Sequence, residues 1–417
     1  MAQKSIVSVI DQYFKRFPHR NIEIESEPSS DLRISVVIPV YNEDDLTPTL
    51  TSLFFNQKEF TFKVEIIILI NNSIEEKLSI INNNISTYNY LLLFAKNYNN
   101  NNITLLPIYI NDLPIKHAGV GWARKLGMDL ALKRFAKIAH NGIIVGLDAD
   151  TIVAENYFSE IAFFFSDSDT QAASIHFEHP IKGTALDKFN YEQIKYYETH
   201  LRYYKNILTY AGLPYSYHTI GSAFALTVKA YARQGGMNRR KAGEDFYFIN
   251  KLIKGENFGE ITNTTVFPSP RTSNRVPFGT GKAILEALKN HKDLTLTYDF
   301  KIFETIKQWV NLIKNEKYEY RNFPILIKEF LTFKEWELHH ELFLQNSSKN
   351  NKYIRMFFFK FDAFWMLKFT HFSRDSTHGN SCLKSNTNLL LEQLGYSKQQ
   401  SVEKQLNILR TIDKKRG

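Results

Sequence analysis

One cysteine, Cys382, stands in the whole chain of 417 residues. Disulfide frameworks need pairs and cysteine zinc sites need clusters, so both are excluded. A reducing compartment fits such usage. Long apolar runs are also missing. Stretches such as "IIILI" from Ile66 are strand-sized, against about 20 residues for a membrane-spanning helix. A glycine-rich phosphate loop is absent: in "FGTGKA" the required first glycine is missing, and Lys282 is followed by Ala283, not by Ser or Thr. No familiar RNA- or DNA-reading motif occurs, so nucleic acid is not an expected partner. Negative charge is in short supply, with 43 Asp and Glu against 52 Lys and Arg, a net charge of +9. That surplus favours an anionic partner without choosing among nucleotide phosphate, polyanion and lipid surface. The first twenty residues read as a short amphipathic helix. Asp11, Gln12 and Lys15 interrupt what would be the apolar core of a secretion leader.

What is present becomes regular at Ile34. "ISVVIPV", "VEIIILI", "ITLLPIYI" and "GIIVGL" are β-branched or continuous apolar runs, each stopping at polar residues. They read as buried strands. Helical spacing lies between them, in "DDLTPTLTSLFFNQ" and in "GWARKLGMDLALKRF". Alternation of this kind predicts an α/β layer with a mostly parallel sheet. Ligands in such sheets sit at the carboxyl ends of strands. Here those ends carry Asn42, Glu43, Asn71, Asn72, Asp148 and Asp150. The asparagine-rich stretches at Asn82 and Asn97 read as surface loops.

Five segments offer chemistry. In "GLDADT", Asp148 and Asp150 flank Ala149 and can face one side of a turning chain, where hard carboxylate oxygens suit Mg²⁺ or Mn²⁺. The strand end Pro39-Val-Tyr41-Asn42-Glu43 presents backbone groups, a ring and a carboxylate suited to a nucleoside. The plainer reading is a helix cap at Asn42. In "HAGVGWARKLG", glycines lead into a helix whose first turns carry Arg124, within reach of a phosphate oxygen. In "GGMNRRKAGEDFYF", Glu244 and Asp245 open a helix, and one acid there suits a general base. The loop "FPSPRTSNRVPFGTGKA" brings Arg271, Arg275 and Lys282 among Pro, Gly, Ser and Thr, a composition able to cover an anionic ligand.

Taken in order, "VVIPVYNE", "NNS", "GVGWARKLGMDLA", "GLDADT", "GSAFALTVKAYARQGGMN" and "GEDFYF" resemble the family 2 glycosyltransferases of the GT-A fold, over roughly Ile34 to Leu252. The resemblance implies sugar transfer from a UDP- or GDP-sugar, usually with inversion, assisted by Mn²⁺ or Mg²⁺, in cell-envelope polysaccharide biosynthesis. It implies that Tyr41, Asn42 and Glu43 touch the nucleoside and that Asn72 stands where an aspartate often reads the base. Asp148 would lie near ribose and metal, Asp150 would bind the metal, and Asp245 would be the catalytic base with Glu244 beside it. "INNS" replaces the commoner two-aspartate form. The glutamine–arginine–tryptophan motif of processive synthases is missing, so a non-processive enzyme is expected.

The expected organisation is an N-terminal helical extension over 1–33, a GT-A domain over 34–285 and a helical region over 286–417. The expected acceptor is a glycan or a lipid-linked sugar, and the expected site of action is the cytoplasm, at the inner face of the membrane. "MFFFKFDAFWMLKF" mixes aromatics with lysines. Peripheral membrane contact and a packed core both fit it. Two competing activities are a sugar-phosphate nucleotidyltransferase and a non-catalytic nucleotide or carbohydrate binder. The first lacks its glycine-rich signature after the first strand. The second would have lost an essential acid, yet both acidic pairs are intact.

Overall fold

A computed structural model describes residues 5–17, 19–115, 118–238, 243–275, 277, 279–347 and 350–415. Residues 239–242 of the glycine-led stretch, His117, Val276 and Phe278 therefore lie outside the described residues. By internal contacts the chain divides into two units. One is Met1–Pro180 with Thr219–Lys282 and Asp413–Gly417, and the other is Ile181–His218 with Ala283–Ile412. The span 1–33 thus groups with the α/β core, while 181–218 groups with the C-terminal helices.

The first unit is built on an eight-stranded sheet. Its strands are β1 (Leu32–Val40), β2 (Lys63–Ser73), β3 (Ile103–Leu113), β4 (Ile143–Gly146), β5 (Thr151–Val153), β6 (Ala172–Phe177), β7 (Phe224–Thr227) and β8 (Phe258–Pro268). They lie in the order β3-β2-β1-β4-β7-β6-β8-β5. β3, β2, β1 and β4 are mutually parallel, as are β6 and β8. β7 runs antiparallel to both its neighbours, and β5 antiparallel to β8. The α/β class with a mostly parallel sheet, expected from the sequence, is what the structure shows. The helices of this unit are α1 (Ile6–Arg16), α2 (Thr47–Phe54), α3 (Leu78–Tyr98), α4 (Val120–Lys137), α5 (Tyr157–Asp167), α7 (Val228–Arg233) and α8 (Glu244–Gly255), while α6 (Lys188–Tyr210) belongs to the second unit.

Burial on both faces explains why β1 has no polar alternation: Ile34, Val36, Val37, Ile38 and Val40 are all buried. α4 packs on this strand through Gly127, where a Cβ would stand 2.5 Å from Val37 Cγ1, so only glycine lets the helix come so close. α4 is also tied to β2 by a buried, two-pronged pair. Arg134 Nε and Nη2 donate to the two carboxylate oxygens of Glu65, both at 2.6 Å. Near its other end, Lys125 donates to Asp129 at 2.8 Å, and Asp129 also accepts from the hydroxyls of Tyr13 and Tyr231. That network fastens α1 and α7 to α4.

The chain order reverses around β1. β2 and β3 lie on one side and β4 on the other. In open parallel sheets this switch point leaves a crevice beyond the carboxyl ends of the two central strands. The segments that follow β1 and β4 are Tyr41–Glu43 and Asp148–Asp150.

One expectation is corrected. Asn82, Asn83 and Asn84 were expected in a surface loop, but they lie within α3. Asparagine is a poor local helix former. Here Thr87, Leu91 and Phe94 supply a buried stripe at helical spacing, and partners outside the helix take up the amides of Asn83 and Asn84. The second asparagine run also begins in the helix, with Asn97 in the last turn of α3; from Asn99 it leaves the helix, and its turn is closed by Asn100 N–H donating to the Ile103 carbonyl.

The second unit is helical apart from a two-stranded ribbon, β9 (Leu296–Tyr298) with β10 (Asn380–Cys382). Its helices beyond α6 are α9 (Thr280–Leu288), α10 (Phe300–Lys314), α11 (Ile325–Phe330), α12 (Phe333–Asn346), α13 (Asn350–Lys360), α14 (Ala363–Ser373), α15 (Leu383–Gln393) and α16 (Val402–Lys414). Trp309 is its centre, with ring centroids of Phe357, Phe361 and Trp365 at 4.9, 5.0 and 5.2 Å. The aromatic run of the tail therefore forms core through Phe357, Phe358, Phe361, Met366 and Phe369, all buried. Among the described residues no helix is long and apolar enough to cross a membrane.

A buried pair is costly to break from one side only. Arg134→Met leaves Glu65 uncompensated and is expected to cost about 3–5 kcal/mol, read as a lower urea midpoint. Replacing both partners by leucine is expected to recover much of that loss. A double variant as unstable as the single one would show that packing, not charge, dominates there.

Candidate functional site

Three buried or half-buried guanidiniums organise the crevice. Arg124 lies in the second turn of α4 and is 2% exposed. Its Nη2 donates to Asp148 Oδ1 at 2.5 Å, and its Nη1 donates to Glu244 Oε1. Asp148 follows β4, and Glu244 opens α8 directly after Gly243, whose φ of 70° turns the chain into that helix. One cation therefore joins three elements. Gly221 completes the floor. A Cβ on Gly221 would lie 2.9 Å from both Arg124 Nη atoms and 3.0 Å from Asp245 Oδ2. Gly146, at the end of β4, in turn faces the Gly221 carbonyl, which a Cβ there would approach to 3.0 Å.

Asp245 and Glu244 differ in setting although they are neighbours. Glu244 is buried, whereas Asp245 is half-buried. Asp245 Oδ1 accepts from the N–H of Phe246 at 2.7 Å, which leaves Oδ2 beside Gly221. Burial pushes the Glu244 carboxyl up to about 7. Arg124 opposes that rise, and the charges of Asp245 and Asp148 reinforce it.

The second cluster is made by sheet register. β5 pairs with β8 so that Thr151 lies opposite Pro268, and Ser269 N–H donates to the Asp150 carbonyl at 3.1 Å. This register carries the loop after β8 over the acids. Arg271 Nε donates to Asp150 Oδ2 at 2.7 Å, while its Nη1 and Nη2 donate to the two oxygens of Glu43, each at 2.6 Å. Arg275 Nη1 adds a third bond to Glu43, also 2.6 Å. Burial would push the Glu43 carboxyl up, but the two guanidiniums hold it below the usual carboxylate range. Burial pushes Asp150 above that range; the charges of Asp148 and Glu43 add to this, and Arg271 opposes it.

The turn after β1 is shaped from α3. Asn42 adopts φ 47°, a left-handed conformation that asparagine tolerates better than most residues. Its N–H donates to Asn84 Oδ1 at 2.9 Å, and its side-chain oxygen accepts from Asn83 Nδ2 at 3.0 Å. Tyr41 donates to Glu76 at 3.0 Å, and burial, with Glu76 adding, pushes its phenol up to about 12. Pro39 is buried within β1 opposite Leu69. Ala149 is buried, and its carbonyl accepts from Thr49 Oγ1 at 2.8 Å.

Asn72 does not share the freedom of these groups. It is fully buried, and its amide is filled: Tyr109 Oη and Asn84 Nδ2 donate to it, and it donates to the carbonyls of Ser73 and Asn111. Its neighbour Asn71 is also buried, yet neither its Oδ1 nor its Nδ2 has a hydrogen-bond partner. Buried amides left unpaired are costly. Asn71 lies one residue past the Val40–Ile70 pair of β1 and β2, at the carboxyl edge where a ligand would enter.

Sequence reading missed Gly221, Asn83, Asn84 and Glu76, and it singled out Asn72 where the unpaired amide belongs to Asn71. The spacing of Asn83, Asn84, Thr87 and Leu91 was the one available signal for α3. For the others no local signal existed.

Glu43, Asp148, Asp150, Glu244 and Asp245 face Arg124, Arg271 and Arg275. With all acids ionised, these eight side chains carry two negative charges in excess. Asp148 Oδ2 and Asp150 Oδ1 are not engaged by these guanidiniums. Two hard oxygens on partly exposed side chains fit a divalent cation that takes its remaining ligands from a bound diphosphate and water. Among the described residues no group of three or more His, Cys, Asp or Glu is set to hold a metal ion unaided.

Glu244 gives a pH test. Its folded-state value of about 7 lies above its ordinary value of 4.5. The unfolded chain therefore releases this proton first, and the fold loses stability as pH rises between these values. Glu244→Gln removes that term. Its melting temperature relative to the unsubstituted chain is expected to rise between pH 5 and pH 8, and a constant difference would show that Glu244 titrates normally.

No family model and no curated protein matches the sequence. Among solved structures the chain is similar to S. aureus TarS 1-349 in complex with UDP-GlcNAc, with 12% identity and a TM-score of 0.39, over 82% of this chain and 91% of that one. It is also similar to the same protein in complex with UDP, with 12% identity and a TM-score of 0.38, over 91% and 90%. Likenesses of that strength decide neither fold nor activity, and the site geometry stands without them.

Proposed function

We propose that the chain is a non-processive, inverting glycosyltransferase of the GT-A type, moving a sugar from a UDP- or GDP-sugar to an acceptor hydroxyl. The observation that carries this reading is the composition of the crevice at the β1/β4 switch point. It combines an excess of acids with three guanidiniums. A diphosphate alone would be repelled by those acids. A diphosphate with a divalent cation would be held by acids and arginines together. Mn²⁺ or Mg²⁺ held by Asp148 and Asp150 would supply charge neutralisation on the departing nucleoside diphosphate.

The chain's own residues divide the remaining work. Tyr41, Asn42 and Glu43 border the nucleoside, with Asn72 on the side of the base. Arg124 holds Asp148 in place and is itself fixed by Glu244. Arg271 and Arg275 are free to exchange carboxylate for phosphate oxygens, because both ligands accept the same forked donors. Asp245 keeps Oδ2 available and takes the proton of the acceptor hydroxyl as that oxygen attacks the anomeric carbon. The acceptor is a glycan or a lipid-linked sugar in envelope polysaccharide synthesis. The setting is the cytoplasm at the membrane's inner face.

A thermal-shift screen of UDP- and GDP-sugars, with and without Mn²⁺, tests the reading, since a true donor raises the melting temperature by mass action. Asp150→Ala is expected to abolish the Mn²⁺-dependent part of that shift. Asp245→Asn is expected to keep the shift and lose turnover of a radiolabelled donor. Arg271→Ala should lower turnover by roughly a hundredfold or more, as for loss of a placed charge stabiliser. Normal turnover by Asp245→Asn would remove the base assignment. Pyrophosphate release from a nucleoside triphosphate would replace the whole reading with nucleotidyl transfer.

A further inference from the structure

α3 has two apolar faces; the fold of its own unit buries one and covers the other only in part, through contacts such as Tyr88 with Tyr109. The inner face is Asn84, Thr87, Leu91 and Phe94, all buried. A second stripe repeats every seven residues. Leu78, Ile85 and Leu92 occupy one set of positions, and Ile81, Tyr88 and Ala95 occupy the set three residues on. Leu78 is 76% exposed, Ile85 41% and Leu92 44%, and the three intervening residues are half-buried. Apolar residues at both of these positions over successive heptads form the seam by which helices pair with one another.

Charge identifies the occupant. From Leu78 to Ala95 the helix carries no Asp, Glu, Lys, Arg or His, between Lys77 and Lys96. The chain as a whole carries +9. Two copies of such a chain carry the same net charge, and a stretch free of charge lets them meet without adding to that repulsion. A two-fold contact brings a surface against itself, so it must be self-complementary. A seam without charge meets that condition. Set antiparallel, Leu78 of one copy falls across from Ala95 of the other, Ile81 across from Leu92, and Ile85 across from Tyr88. Ala95 then faces Leu78 at each end of the seam, and the inner pairs join Ile81 with Leu92 and Ile85 with Tyr88. A helix built to lie in a lipid surface would instead carry Lys and Arg on its polar face, where α3 has Ser79, Asn82, Ser86 and Asn89.

We propose that this stripe of α3 is a homodimer interface, with a second copy of the chain as its occupant. The contact is independent of the sugar-transfer reading. Its polar border includes Asn82 and Asn89, and its neighbour Asn83 supports the turn at Asn42, so dimerisation borders the helix that shapes the nucleoside side of the crevice.

Sedimentation equilibrium of the full chain at micromolar concentrations tests it. The unsubstituted chain is expected to be dimeric, Ile85→Asp and Leu92→Asp monomeric, and Leu93→Asp dimeric. Leu93 is 59% exposed but lies outside the seam. As a second measurement, in a Cys382→Ser background, a short thiol-reactive cross-linker is expected to join Ile85→Cys chains in pairs and to leave Leu93→Cys chains single. A monomeric unsubstituted chain, or dimers that survive both Asp substitutions, would overturn the proposal. So would binding to phosphatidylserine vesicles by a monomer, if Ile85→Asp abolished that binding.

Discussion

A guanidinium withdrawn from water is the constraint around which this crevice is arranged. Arg124 is almost wholly buried, and a buried cation stands only if acids reach it. The acids that do so come from the end of β4 and from the start of α8. Their positions are therefore fixed by the same electrostatic requirement that fixes Arg124. Glycine at 221 and 146 removes the side chains that would separate these elements. The result is a rigid corner in which Asp148 and Asp245 keep defined directions before any ligand arrives. Preorganisation of this kind makes charged groups effective at a reacting centre.

The opposite side of the crevice is held by a different kind of bond. Arg271 and Arg275 lie on a loop, each guanidinium about a quarter exposed, and their partners Glu43 and Asp150 belong to two other segments. Such pairs can be exchanged for phosphate oxygens with little change in hydrogen-bond geometry. A fixed corner and an exchangeable one facing each other suit a ligand that must be held firmly at one end and released as a charged fragment at the other. With all five acids ionised the two corners carry a surplus of negative charge, and that surplus is the ground on which a divalent cation is proposed. Without it, the acids that organise the arginines would oppose the ligand.

The sequence by itself determined the layer architecture. Continuous β-branched runs have no solvent face to offer, so they must lie inside a covered parallel sheet, and their polar ends must gather at its edge. Acids at 148 and 150 could be named from that rule alone; Glu244, Asp245 and Arg124 were named from their places at helix starts. Tertiary structure decided what those groups bind. No local pattern says that Arg271 crosses to both Glu43 and Asp150, because the crossing depends on the β5–β8 register between segments far apart in sequence. Nor could composition tell that Asn72 is filled while its neighbour Asn71 is left open, since alternate residues of a strand point to opposite faces and only the packed neighbours decide which face is satisfied. The asparagines at 82–84 show the same division. Their local preference is for a turn, and burial of Thr87, Leu91 and Phe94 with amide contacts to Asn42 and Asn72 overrides it, because packing energy summed along a helix exceeds the small propensity cost of each residue.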